Sequence, residues 1–223
     1  MKKLMVIFGT RPDAIKMCPL VKELKSRSGI ETTVCVSGQH REMLDGVLQA
    51  FGVDPDYDLS VMKSEQSLFD ITESIMRELR PVLESESPDM VLVHGDTTTA
   101  FAAALSCFYL KIPVAHVEAG LRTYSIFSPY PEEYNRRAIS LISRIDFAPT
   151  RSARYALIAE GKKPDDIFVT GNTVIDAFKT TIRKDFSFEG TPLEGIDMDK
   201  RIILMTAHRR ENLGTPLENI CKA

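Results

Sequence analysis

The chain has 223 residues, of which 43% are hydrophobic and 26% are charged, and this is the composition of an ordinary globular protein. Its 28 basic and 31 acidic side chains are interspersed and give a formal net charge of −3, which argues against nucleic-acid binding. The longest apolar stretch, Thr97–Leu110, is shorter than a bilayer span and argues against a membrane role.

The N-terminus does not have the pattern of a signal peptide. Met1-Lys2-Lys3 leads into a short apolar run that no small-residue cleavage site follows. The four cysteines stand far apart, outside any CxxC or Cys/His ligand spacing, which predicts reduced thiols and no metal site. We therefore expect a cytoplasmic protein.

Short apolar runs rich in β-branched residues alternate with longer segments of helical period. This pattern predicts an α/β fold in which parallel strands, covered on both faces, are joined by crossover helices. The predicted strands are Leu4–Phe8, Thr32–Val36, Met90–His94, Val114–Val117, Asp146–Ala148 and Ile167–Val169. The predicted helices are Asp13–Arg27, Arg41–Phe51, Ser67–Ser85, Thr98–Leu110, Glu132–Ser143, Ser152–Glu160 and Thr173–Arg183.

Residues 185–199 break this pattern, since they combine Phe, Gly, Pro and acidic residues without a period. We interpret them as a linker that follows a first domain of residues 1–184. A strand is predicted at Arg201–Met205 and a helix near Thr215, so residues 200–223 are interpreted as the opening of a second domain. The alternatives are a truncated second domain, or a unit that adds an extra strand to the first.

In open parallel sheets, ligands bind outside the carboxyl ends of the strands, so the residues after each strand are the candidates for function. After the first strand, a glycine turn and a helix start can hold an anion beside Arg11, or can be a capped turn with a solvated arginine. Neither GxGxxG nor GxxxxGK[ST] follows any strand, which argues against dinucleotide-dependent oxidoreductases and P-loop NTPases.

Carboxylates follow three further elements. Asp96 follows the strand that ends at His94, and it is either a functional acid or the N-cap of the next helix; His94 is either a ligand or a packed core residue. Glu118 is either a proton-transfer group, with a pKa that burial raises, or a partner of Arg122.

A proline-stiffened loop delivers Glu132 and Glu133 into the first turn of a helix, where one acid is expected to be structural. Carboxylates gathered at one sheet edge shift each other's pKa values, which favours proton chemistry. Beyond the linker, His208, Arg209 and Arg210 suit a diphosphate, or form a basic turn paired with Glu211.

Taken in order, these motifs resemble those of the non-hydrolysing UDP-N-acetylglucosamine 2-epimerases, over the chain from Met5 to its end. The residues that carry the resemblance are Phe8–Pro12, Gln39–Leu44, His94–Thr99, His116–Thr123, Pro131–Glu133, Thr170–Asp176 and His208–Glu211. The resemblance implies a Rossmann-like, doubly wound parallel sheet that forms one half of a glycosyltransferase-B type architecture. It also implies an active site in the cleft between the two domains.

The resemblance further implies a reaction. The family interconverts UDP-N-acetylglucosamine and UDP-N-acetylmannosamine by eliminating UDP to give 2-acetamidoglucal, and adds UDP back after a proton has returned to the opposite face of C2. No metal or nicotinamide cofactor is needed. UDP-N-acetylglucosamine is therefore the expected ligand, and a homodimer is expected for the full-length form.

The resemblance assigns roles to individual residues. Asp96, Glu118 and Glu132 fall at the catalytic carboxylates, with Glu118 favoured as the base and Asp96 as the acid. The remaining matches are His208, a catalytic histidine near the diphosphate; Arg11 and Arg209, which bind substrate; and Gln39 and Gln66, at a site for an activating second substrate molecule. Glu65 departs from the pattern, because some members have a basic residue there, which puts substrate activation in doubt.

The chain is shorter than the family's members, whose second half holds most of the uridine and diphosphate contacts. We therefore expect this chain alone to be inactive or nearly so. The alternatives are a hydrolysing epimerase, which releases N-acetylmannosamine and UDP, and a catalytically dead nucleotide-sugar-binding domain. A glycosyltransferase is less favoured, since it does not need three acids around one carbon.

Overall fold

The computed structural model describes residues 1–38, 41–61, 66–183, 185–205 and 214–222, without the side chains of 41–43 and 216. The chain divides into two compact units, Met1–Ile182 and Arg183–Ala223. The boundaries predicted at residues 184 and 199 stay predictions. No helix in the described ranges is both long and apolar enough to cross a bilayer.

The first unit is built on a parallel sheet of seven strands among the described residues, in the order β3-β2-β1-β4-β5-β6-β7. The strands are β1 (Lys2–Phe8), β2 (Ile30–Val36), β3 (Tyr57–Asp58), β4 (Met90–His94), β5 (Val114–Val117), β6 (Ile145–Ala148) and β7 (Ile167–Val169). The predicted α/β fold with a Rossmann-like parallel sheet is confirmed.

Helices connect these strands. They are α1 (Arg11–Ser26), α2 (Arg41–Phe51), α3 (Leu68–Glu86), α4 (Thr98–Tyr109), α5 (Glu132–Ile142), α6 (Arg151–Ala159) and α7 (Val174–Thr181), with a short 3-10 helix at Pro164–Asp166. Strand β3 was not predicted from sequence, because two residues are too few to show a period. It forms through parallel pairing of Tyr57 with Cys35 and of Asp58 with Val36.

Side chains of β1 alternate between two hydrophobic cores, one on each face of the sheet. Met5 and Ile7 pack with α3 and α4, whereas Val6 and Phe8 pack with α1 and α2. This alternation follows from the two-residue period of a strand, and the continuous apolar run follows from burial on both faces. The central strands therefore bury side chains on both faces of the sheet, against helices on each side.

Three cysteines lie within these cores as free thiols, namely Cys18, Cys35 and Cys107. Burial raises the pKa of each thiol to about 12, so these side chains are unreactive protonated thiols at neutral pH. Cys221 is exposed.

The connection from β1 leads to β2 on one side of the sheet, while β4 lies on the other side of β1. This reversal of strand order opens a crevice at the carboxyl ends of β1 and β4, which is where ligands bind in such folds. The residues that follow β1, β4 and β5 are therefore the candidates for a ligand-binding site.

The second unit contains one described helix, α8 (Thr215–Lys222). The strand predicted at Arg201–Met205 is wrong, because these residues are irregular and exposed in the structure. Leu204, for example, is 90% exposed. An apolar run forms a strand only when a neighbour accepts and donates its backbone hydrogen bonds, and these residues have no such partner in the described chain. The alternative of an extra strand on the first unit stays a prediction.

Candidate active site

Two threonines cap the helices that follow β1 and β4. The Thr10 side chain accepts a hydrogen bond from the Asp13 amide, and the Thr97 side chain accepts one from the Ala100 amide. Thr97, and not Asp96, is therefore the N-cap of α4, so the simpler interpretation of Asp96 is wrong. The Asp96 carboxylate is left to make contacts across the site.

Asp96 is held by a helix that begins 36 positions later in the chain. Arg136 Nη1 donates to Asp96 Oδ2 at 3.0 Å, and Asn135 Nδ2 donates to the Asp96 carbonyl oxygen at 2.9 Å. Burial raises the pKa of the Asp96 carboxyl, the charges of Glu132 and Glu118 raise it further, and the Arg136 guanidinium opposes them. Asp96 therefore keeps a proton at a higher pH than an ordinary aspartate does.

Glu118 leaves the end of β5 with a left-handed backbone conformation, at a φ of 63°. Lys16 Nζ donates to both carboxylate oxygens at 2.7 and 2.6 Å, and Asn172 Nδ2 donates to Oε2 at 2.7 Å. The alternative partner is wrong, because Arg122 pairs instead with Glu160 at 2.7 Å. Glu118 therefore accepts hydrogen bonds from a cation and from an amide.

The two acids at the start of α5 differ in environment. Glu133 is fully buried and accepts hydrogen bonds from the Thr123 and Tyr124 amides and from Arg136 Nε. Burial acts to raise the pKa of Glu133, but these donors outweigh it and the pKa is lowered. Glu133 thus fixes the loop after β5, as expected for one of the two acids. The other, Glu132, has a buried Oε2 without a hydrogen-bond partner among the described protein groups.

His94, the last residue of β4, is 3% exposed. Its Nδ1 lies 3.0 Å from Asp13 Oδ1, and its Nε2 lies 3.8 Å from Glu118 Oε2. His94 is therefore buried in the core and is also part of the site. Asp13 and Lys16 stand three positions apart near the start of α1, a spacing that puts both on one helix face.

A second buried histidine fixes the turn that carries Asp96. His116 Nε2 donates to the Gly95 carbonyl oxygen at 2.7 Å, and the ring is fully buried. Burial lowers the pKa of His116 to about 3, so the ring is neutral at physiological pH. Behind it, Asp146 is paired with Lys162 at 2.9 Å. The hydrogen bond between His116 and Gly95 holds Gly95, and with it Asp96, against β5.

Sequence reasoning missed five polar residues of this site, which are Asp13, Lys16, Asn135, Arg136 and Asn172. The helical spacing of Asp13 and Lys16 was an available signal for the first two. Asn172 was assigned only to a turn, and its contact with Glu118 joins residues 54 positions apart.

Two of the remaining predicted residues, Arg11 and Gln66, lie in the described part of the chain. Arg11 is exposed at the first position of α1, without an ion pair to a described residue. Gln66 Nε2 donates to the Val61 carbonyl oxygen at 2.9 Å. Gln39, Glu65, His208 and Arg209 lie outside the described residues. Within the described ranges, no group of three or more His, Cys, Asp and Glu side chains has the arrangement of a metal site.

The chain was compared with families and proteins of known identity. A family model described as UDP-N-acetylglucosamine 2-epimerase matches residues 22–223. A Bacillus subtilis relative named UDP-N-acetylglucosamine 2-epimerase is 54% identical over 221 residues, which cover 99% of this chain and 57% of that protein.

Solved structures give the same picture. The S. aureus MnaA–UDP co-structure matches with a TM-score of 0.90 and 51% identity, over 99% of this chain and 57% of that one. The Neisseria meningitidis UDP-GlcNAc 2-epimerase bound to UDP-GlcNAc matches with a TM-score of 0.77 and 55% identity, over 79% and 48% of the two chains. The chain thus spans less than two thirds of the length of these relatives.

Proposed function

The chain belongs to the UDP-N-acetylglucosamine 2-epimerase family, and from this premise we propose that the whole protein interconverts UDP-N-acetylglucosamine and UDP-N-acetylmannosamine. The reaction eliminates UDP to give 2-acetamidoglucal and adds UDP back after a proton has returned to the opposite face of C2. The activity is assigned to the whole protein because the chain spans 57% of the Bacillus subtilis relative.

One observation supports the proposal: the buried Asp96 carboxyl group lies close to the charges of Glu118 and Glu132 at the sheet edge. The charges of Glu132 and Glu118 raise the pKa of Asp96, which burial has already raised. Carboxyl groups whose environments push their protonation states apart supply an acid and a base at the same pH. Inversion at C2 requires such a pair, because one group takes the proton and another returns a proton from the other face.

We assign the base to Glu118 and the acid to Asp96. Lys16 and Asn172 donate hydrogen bonds to the Glu118 carboxylate, and a carboxylate is the form that can accept the C2 proton. The raised pKa of Asp96 favours the form that can donate a proton. Glu132, whose Oε2 has no hydrogen-bond partner in the described part of the chain, is the third catalytic carboxylate of the proposal.

The diphosphate of the substrate needs cationic and amide donors. Arg11 is exposed beside the amino terminus of α1, where backbone amides and the helix dipole favour an anion. Arg209 and His208 are assigned to the same role from the family pattern. In the family, most uridine and diphosphate contacts come from the second half, so we expect the 223-residue chain alone to turn over little or not at all.

Deuterium exchange tests the function. The whole protein is incubated with UDP-N-acetylglucosamine in deuterated water and followed by proton NMR, beside the 223-residue chain. We expect deuterium at C2 and the anomeric signal of the manno epimer, still linked to UDP. Free N-acetylmannosamine with stoichiometric UDP would support the hydrolysing alternative, and the absence of both exchange and epimer would overturn the proposal.

We also propose that the whole protein is a homodimer, and an exposed apolar surface of the first unit supports this. A cavity of about 710 Å³ lies among α3, α4, α5 and the loop before α5. At its rim, Phe69 is 88% exposed and Phe127 is 77% exposed. Exposed aromatic side chains grouped around a concavity are typical of protein interfaces.

Charge substitution tests this interface. Phe69→Asp combined with Phe127→Asp should weaken self-association by at least about 30-fold, because buried aromatic side chains carry a large share of interface energy. Sedimentation of the whole protein over a concentration series would measure the change. The matched control is Tyr155→Asp on α6, since Tyr155 is 64% exposed and does not line this cavity. A dimer that withstands the double substitution would exclude this surface as the interface.

A further inference from the structure

The proposed base is in contact with a histidine as well as with its hydrogen-bond donors. His94 lies at the end of β4, between α1 and the segment that follows β5, and is 3% exposed. Asp13 Oδ1 lies 3.0 Å from Nδ1, so this nitrogen carries a proton and donates a hydrogen bond to the Asp13 carboxylate. The other Asp13 oxygen is 3.4 Å from both the Thr10 amide and the Thr97 hydroxyl, which hold the carboxylate in place.

The second ring nitrogen of His94 is directed at the base. Nε2 lies 3.8 Å from Glu118 Oε2 and has no hydrogen-bond partner among the described protein groups. A buried nitrogen without a hydrogen-bond partner lowers the stability of the fold. Its presence beside functional residues therefore suggests that it gains a partner during function. In the neutral ring, the proton on Nδ1 leaves a lone pair on Nε2.

That lone pair distinguishes the two protonation states of Glu118. An ionised carboxylate has only lone pairs to present to Nε2, whereas a protonated carboxyl group can donate its O–H to it. The contact is therefore suited to the state of Glu118 that exists after a proton has been taken up. Lys16 and Asn172 serve the opposite state, since both are donors to the ionised carboxylate.

Resting on the proposed function, we propose that His94, held by Asp13, is a positioning residue that accepts the hydrogen bond of Glu118 once Glu118 has taken the C2 proton. In that step the C2–H bond breaks and an O–H bond forms on Glu118. The C–H electron pair becomes the C1–C2 double bond, and UDP leaves with the electron pair of its bond to C1. The new O–H then donates to Nε2, with no further bond broken.

The protonation state of the ring tests the premise without any catalysis. Nitrogen NMR of the 15N-labelled 223-residue chain at neutral pH, with His94→Asn to assign the signals, reports which ring nitrogen carries the proton. We expect Nδ1 to be protonated and Nε2 to be bare. In Glu118→Gln the amide can donate, so the Nε2 signal should move as a hydrogen bond forms. A protonated Nε2 in the unsubstituted chain would overturn the proposal.

Kinetics of the whole protein test the consequence. His94→Asn keeps an amide donor for Asp13 but leaves nothing at Nε2, whereas His94→Gln places an amide near the Nε2 position. We expect His94→Asn to lower kcat about 10- to 100-fold, by analogy with the loss of a residue that orients a metal ligand, with KM nearly unchanged. C2 deuterium exchange should fall in parallel, and His94→Gln should recover part of the rate.

Two results would contradict this role: a raised KM at unchanged kcat, or rates in both variants equal to those of the unsubstituted protein. Thermal unfolding of each variant serves as the control for folding. If the unsubstituted whole protein showed no exchange at C2, the proposed function would fail, while nitrogen NMR would still decide how His94 and Glu118 are arranged.

Discussion

Asp96→Asn in the whole protein is expected to lower kcat about 100- to 10,000-fold, the range for losing a general acid or base. Asparagine has nearly the same shape as aspartate, and its carbonyl oxygen can still accept the bond from Arg136 Nη1. Asp96 lies among the charges of Glu118 and Glu132. The substitution removes the proton that Asp96 would donate, while the side-chain shape and the contact with Arg136 are kept. Epimerisation and C2 exchange would be measured together.

The matched control for this variant is Asp165→Asn, which makes the same chemical change at an exposed position of the 3-10 helix Pro164–Asp166, outside the motifs that carry the resemblance. The rate of that control should stay within about 2-fold, because surface substitutions away from a site have small effects. Equal rates in Asp96→Asn and in the unsubstituted protein would remove Asp96 from the mechanism.

The unsubstituted protein and Asp96→Asn should differ in how their stability depends on pH. The pKa of Asp96 is raised in the folded chain, so the folded state binds the proton more tightly than the unfolded state does. The stability that Asp96 contributes is then fully present below about pH 4, the pKa of an unfolded aspartate, and is lost as the pH rises through the folded pKa. In denaturant unfolding across the acid and neutral range, the free energy of unfolding of the unsubstituted chain, relative to that of Asp96→Asn, should fall as the pH rises. The opposite trend would mean that Arg136 outweighs burial.

Gly120→Ala is expected to destabilise the first unit by about 2 to 5 kcal/mol, the sum of a strained backbone and a steric clash. Gly120 has a φ of +88°, and a Cβ built on it would lie 2.3 Å from the Ala153 carbonyl oxygen in α6. That oxygen belongs to a helix backbone and cannot move aside as a flexible side chain would. The free energy of unfolding, measured with denaturant, reports the loss.

Gly161→Ala separates the two causes. Gly161 has a φ of +91°, but a Cβ there would meet nothing within 4 Å. This control therefore has the backbone strain without the clash and should lose about 1 to 2 kcal/mol. Equal losses in the two variants would show that α6 yields to the new methyl group. A further result is expected for Gly120→Ala in the whole protein, where activity should fall because Glu118 stands two residues earlier in the same loop.

Arg136 connects Asp96 to Glu133. One nitrogen donates to Asp96 Oδ2 at 3.0 Å and another donates to Glu133 Oε2 at 2.8 Å. Glu133 in turn accepts the amides of the loop after β5. The turn that carries Asp96 and the loop that follows Glu118 are thereby joined through one guanidinium, whose planar set of donors suits such a link.

The sequence by itself determined the order and type of most elements of the first unit, except β3. Met90–His94, Val114–Val117 and Ile167–Val169 were predicted with the bounds that the structure has, because strands buried on both faces are continuous apolar runs. The rule that ligands bind at the carboxyl ends of parallel strands then singled out Asp96 and Glu118. The run at Arg201–Met205 has the same composition without being a strand, since composition does not supply a pairing partner.

Only the tertiary structure decided which groups meet. Lys16 and Glu118 are 102 positions apart, and Asp13 and His94 are 81 positions apart. No local pattern relates residues at such distances, and their contact depends on the parallel arrangement that brings the ends of β1, β4 and β5 together. Local spacing instead suggested Arg122 as the partner of Glu118, and the fold gives that arginine to Glu160. The types of side chain at the site follow from sequence, whereas their pairing, burial and protonation follow from the fold.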